Sequence, residues 1–125
     1  MASTAVTLPL GPATVNITGV RAGDKNAFVL SLTQAGAPLP ITGVVTAQAR
    51  LVATDAEPAM TAVVEMVDAP NGQVLVRWPG EQVTAALAGA AVWAGVWDLQ
   101  VQEGADDPVT LVAGTLGAAM DVTRP

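Results

Sequence analysis

The 125-residue chain contains no histidine, no cysteine and no tyrosine. The commonest general base, the commonest metal ligands and the thiol nucleophile are therefore missing together. A Ser-His-Asp triad cannot form around Ser3 or Ser31 without a histidine. No disulfide can cross-link the chain, so its fold must rest on its core. Aromatic side chains are scarce, limited to Phe28, Trp78, Trp93 and Trp97. Basic residues are scarce as well: Arg21, Lys25, Arg50, Arg77 and Arg124 stand against eleven acids, giving a formal charge of −6. They are scattered and form no basic stripe, which argues against binding nucleic acid through its phosphates. Long hydrophobic runs are missing too. Residues 83–97 carry no charge, but the run falls short of the roughly 20 residues of a spanning helix and glycines interrupt it. No membrane contact is expected. Residues 1–10 show neither a positive n-region nor an apolar h-region, so no secretory signal is expected. The inventory predicts a protein that is not an enzyme and needs no cofactor.

What is present is apolar surface: 51% of the residues are hydrophobic and only 13% are charged. Most of that content is Ala, Val and Leu, small side chains suited to the thin space between two packed sheets. Small side chains bury little area each, and assembly with partners is one way to offset a weak core. The dominant hydrophobic period is two. In 27–33, Phe28, Leu30 and Leu32 share a face. Val45, Ala47, Ala49 and Leu51 alternate with Thr46, Gln48 and Arg50. A third run places Ala62, Val64 and Met66 together. Val74, Val76 and Trp78 follow the turn Asp68-Ala69-Pro70-Asn71-Gly72, whose Asn-Gly pair tolerates positive φ in a hairpin.

Residues 81–91 are alanine-rich and predict a single helical turn or a loop. Gly95 then opens a strand with Trp97, Leu99 and Val101 facing in. An acidic hairpin loop spans 103–108. Residues 109–112 and 116–122 read as one long strand bent at Gly114 and Gly117. Short strands with turns every 8–12 residues predict an all-β fold, a single antiparallel β-sandwich of about seven or eight strands. The whole chain, 1–125, reads as one domain, with residues 1–14 as an extended N-terminal arm.

Few constellations carry chemistry. The acidic pairs Asp55/Glu57 and Asp106/Asp107 lack the ligand spacing of a calcium loop and read as solvated turns; no metal site is expected. Arg21-Ala22-Gly23-Asp24 reads as a turn leading into the next strand, with Gly23 relieving backbone strain. Trp97 is in phase with Leu99 and Val101 and belongs to the core. Trp93 lies outside that clean pattern, beside Ala94 and Gly95, and is the candidate interface anchor.

Several spaced pieces together resemble a known family. They are Arg21-x-Gly23-Asp24, Ile41-Thr42-Gly43-Val44, Asn71-Gly72-Gln73-Val74, the run from Ala94-Gly95-Val96-Trp97 through Asp98-Leu99-Gln100-Val101, and the closing Gly114-Thr115 with Asp121-Val122. Their order resembles the small Ig-like β-sandwich of tailed-bacteriophage structural proteins. It is similar to the N-terminal module of baseplate upper proteins and to stand-alone tail or head-surface domains. The resemblance implies a non-catalytic virion protein, made in the host cytoplasm and assembled in several copies on other capsid or tail subunits. Such a protein serves as a capsid decoration or cement protein, or as a tail or baseplate adaptor. It carries over no catalytic residue. The alternative is a carbohydrate- or cell-surface-binding sandwich with Trp93 or Trp78 as a stacking platform; sandwich folds host both uses.

Overall fold

The computed structural model describes residues 2–7 and 13–120. The described strands are β1 (Ala2–Thr7), β2 (Ala13–Thr14), β3 (Ile17–Arg21), β4 (Ala27–Gln34), β5 (Ala37–Pro38), β6 (Val44–Arg50), β7 (Met60–Thr61), β8 (Val63–Asp68), β9 (Gln73–Arg77), β10 (Val92–Gln102) and β11 (Val109–Ala119). One helix, α1 (Gly80–Leu87), joins β9 to β10, and a 3-10 turn at Ala69–Asn71 joins β8 to β9. Setting aside the two-residue strands β2, β5 and β7, eight strands of five residues or more remain, as the period-two reading expects.

They form two sheets. One has the order β1-β4-β9-β8 with β5 beside β4; the other runs β2-β11-β10-β6-β7 with β3 beside β11. The central pairs β4–β9, β8–β9, β6–β10 and β10–β11 are antiparallel. The N-terminal strands add in parallel at the edges: β1 on β4, and β2 and β3 on β11. The result is an all-β sandwich of two mixed sheets. The chain changes sheet at Ala62, between β7 and β8; its N–H still donates to Ala47 O at 2.9 Å before the strand turns to pair with β9.

The core lies where the alternating faces meet. Leu30, Leu32, Val74, Val76 and Trp78 come from one sheet and Ala47, Ala49, Trp97, Leu99, Val112 and Leu116 from the other. Trp97 bridges the sheets, edge-on to Trp78 at 6.1 Å and to Phe28 at 6.5 Å between centroids. Such pairs contribute about 0.5–1.5 kcal/mol each beyond their buried area. The Trp97 Nε1–H donates to Val15 O at 2.8 Å, so its polar atom is satisfied while the ring is buried. Helix α1 covers one end of the sandwich with Val83 and Leu87. It stops where Ala88 (φ 49°) and Gly89 (φ 87°) turn left-handed.

The structure amends several sequence expectations. Leu51 does not join the inward row of Val45, Ala47 and Ala49, because β6 ends at Arg50 and Leu51 is exposed. Met66 is on the inward side of β8 but 42% exposed, because β8 is a sheet edge with no further strand beyond it among the described residues. The 81–91 segment is two helical turns, beginning at Gly80, instead of one turn or a loop. The strand expected from Gly95 begins at Val92. The Asn71-Gly72 turn is not a two-residue hairpin. The chain first makes the 3-10 turn, Asn71 Nδ2 donates to Asp68 Oδ2 at 2.8 Å, and Gly72 alone takes a positive φ of 72°. Of the long final strand, β11 reaches Ala119; residues 121–122 lie outside the described residues, as do residues 1 and 8–12, while residues 2–7 and 13–14 of the expected N-terminal arm are the sheet strands β1 and β2.

Candidate interaction surface

Of the two aromatic candidates for ligand contact, Trp78 is buried and Trp93 is half-buried. Trp78 has no exposed surface and lies against Trp97, which removes it as a stacking platform for a sugar. Trp93 is half-buried and packs against the core. Because β10 starts at Val92, Trp93 falls in the inward series with Gly95, Trp97 and Leu99. Its apparent lack of pattern came from Gly95, which leaves a gap in that series filled by the Trp93 indole. A Cβ on Gly95 would lie 2.9 Å from Trp93 Cζ2.

The acidic pairs stay on exposed loops. Asp55 accepts from Val52 N–H at 3.3 Å through its side chain, and its carbonyl accepts from Arg50 Nε at 3.0 Å. Among the described residues no group of three or more acidic side chains is arranged to hold a metal ion. The Arg21–Asp24 turn is organised by a residue that no sequence pattern marks. Asn26, at φ 50°, accepts from Arg21 N–H at 3.0 Å. Its Nδ2 donates to the carbonyls of Arg21 (2.8 Å), Asp24 (3.2 Å) and Trp78 (3.1 Å). One side chain thereby ties β3, the turn and the end of β9 together.

The surface that stands out is apolar. Val92 (69% exposed), Leu51 (57%) and Val52 (50%) sit in the half of the β10 sheet away from the 103–108 loop. Leu51 also lines a shallow depression of about 380 Å3 with Ala94, Gly95, Val96, Thr115 and Gly117. Complete burial of a Val or Leu contributes about 1.5–3 kcal/mol, so half-exposed side chains retain a substantial share of that gain for a partner to realise. Leu51-Val52 directly precedes Ala53-Thr54-Asp55. An apolar pair running into a polar turn is the sequence signal that could have marked it.

The sheet edges differ in how they are protected. The outward N–H and C=O of Thr61 on β7 are taken by Gln82, through Oε1 at 2.7 Å and Nε2 at 3.0 Å. Edge strand β8 carries Glu65 and an irregular register between Met66 and Asp68, features that discourage a further strand. β1 has none of these devices. Its sequence Ala-Ser-Thr-Ala-Val-Thr carries no charge and no proline, its register on β4 is unbroken, and its far side faces no strand among the described residues.

No protein-family model matches the chain. No curated protein matches it either. Among solved structures it is similar to the N-terminal domain of phage TP901-1 ORF48, with 18% sequence identity and a TM-score of 0.47 over 97% of this chain and 99% of that chain.

Proposed function

We propose that the chain is a non-catalytic structural protein of a tailed-phage virion, assembled in multiple copies as a capsid decoration protein or as a tail or baseplate adaptor. The observation that carries the assembly half of this reading is the exposed apolar set Val92, Leu51 and Val52, of which Leu51 lines the depression at Gly95. Large apolar side chains left exposed on a small acidic domain are available for a partner to cover. The edge of β1, which faces no strand among the described residues, supports it further, because such an edge accepts a strand from a neighbour. The virion half is supported by the ordered motifs from Arg21 to Val122 that resemble Ig-like phage structural domains. The acidic surface keeps unassembled copies apart.

The test is a double variant, Val92→Asp with Leu51→Asp. Both positions are exposed, so folding should persist by circular dichroism. Co-sedimentation with particles lacking the native protein should fall strongly. A correctly folded double variant that co-sediments like the parent would contradict this choice of surface.

A further inference from the structure

At the opposite end of the sandwich, the chain crossing from β5 to β6 faces the β10–β11 hairpin across an open groove of about 270 Å3. Its walls are apolar. Leu39, Val101 and Leu111 are half-buried there and Val109 is 56% exposed. Its rim is acidic, with Glu103, Asp106 and Asp107 all on the lining and all exposed. The hairpin loop is internally braced: Asp106 N–H donates to Glu103 O at 3.0 Å and Gln102 Nε2 donates to Asp106 O at 3.0 Å. Thr42 Oγ1 donates to Glu103 Oε1, fixing one carboxylate against the far wall.

None of the three carboxylates has a basic partner among the described residues. The reason is the layout of the fold. Arg21 pairs with Ala119 and Arg77 with Ala27, both at the other end of the sandwich, and Lys25 lies in the turn beside them. Arg50, opposite Val96, is engaged by Gln48 and by the carbonyl of Asp55. This end therefore has a local excess of negative charge that nothing in the described chain offsets.

We propose that this groove docks an extended basic segment of a partner protein, with a Lys or Arg whose head group meets the carboxylates while its methylene stem and an adjacent apolar side chain cover Val101 and Val109. Long basic side chains combine an apolar stem with a charged tip, the combination that the apolar wall and acidic rim present. A metal ion is a poor fit, since the carboxylates do not converge into a cluster that could hold one. An anionic ligand would be repelled. The proposal does not depend on the virion reading, because it concerns the isolated chain and a peptide.

The experiment is an amide NMR titration of the full chain with an acetylated Leu-Lys-Leu-Lys-Leu amide, with the Leu-Glu-Leu-Glu-Leu counterpart as control. Saturable shifts confined to residues 39–42 and 101–111 are expected for the lysine peptide alone. Raising sodium chloride from about 50 to about 300 mM should weaken binding about tenfold, as screening of exposed charges requires. The double variant Asp106→Lys, Asp107→Lys should abolish binding. Val109→Ser, which leaves every charge in place, should weaken it several-fold. An absence of saturable shifts, equal binding of the glutamate peptide, or shifts centred near Val92 or on Arg21 and Lys25 would overturn the proposal. So would a Val109→Ser variant that binds like the parent, since attraction would then be to charge alone. Dimerisation that blocks the groove, detected by sedimentation, would also overturn it by assigning the groove to a second copy.

Discussion

The indole of Trp93 takes the space that a side chain at Gly95 would need. The two residues face the same way on β10, and an added Cβ at Gly95 would meet both Trp93 Cζ2, at 2.9 Å, and the carbonyl of Arg50 on the neighbouring strand. Gly95 thus sets where Trp93 lies and how closely β6 approaches.

Gly95→Ala should displace one or both neighbours. Overpacking of this kind costs about 1–3 kcal/mol. We expect a lower melting temperature and a red-shifted tryptophan emission as the Trp93 ring moves outward. An unchanged emission spectrum and melting temperature would show that the contact yields freely.

Trp97→Ala removes the ring that links the sheets, its edge contacts to Trp78 and Phe28, and its bond to Val15 O. The loss should be about 3–5 kcal/mol by chemical denaturation, the range for deleting a large buried aromatic. Trp97→Phe should retain most of the packing and lose chiefly the hydrogen bond, about 0.5–1.5 kcal/mol. Equal losses in the two variants would mean that the hydrogen bond, not the ring packing, dominates.

These two residues also show what the sequence could and could not reveal. Alternation placed Leu30, Leu32, Ala47, Ala49, Val74, Val76, Trp78, Trp97 and Leu99 in the core, because each strand reports locally which of its faces is apolar. It did not place Trp93, because glycine at position 95 carries no side chain to continue the series. Nor did it show that β1, β2 and β3 join the sheets in parallel, since periodicity identifies a face and not a partner strand. Leu51 is exposed for a related reason: alternation continues past the point where pairing stops at Arg50, so periodicity alone puts it inward.

Asn26 offers a test that separates hydrogen bonding from backbone strain. Asn26→Gly removes all four side-chain bonds but accepts the left-handed φ of 50°. Asn26→Ala removes the same bonds and adds the left-handed penalty of about 1–2 kcal/mol for a residue with a Cβ. Both variants should unfold earlier than the parent in urea, with Ala the less stable by roughly that amount. If Ala and Gly prove equal, the turn relaxes to negative φ when the amide is lost.

The claim that this chain is a multi-copy virion component is tested most directly by quantitative mass spectrometry of purified particles. The account predicts that the protein remains with the particles at a fixed ratio to the major structural subunits. On the order of hundreds of copies would specify capsid decoration, and on the order of a dozen a tail or baseplate adaptor, because copy number follows the symmetry of the site. Abundant protein in the infected-cell lysate with none in the purified particles would contradict it.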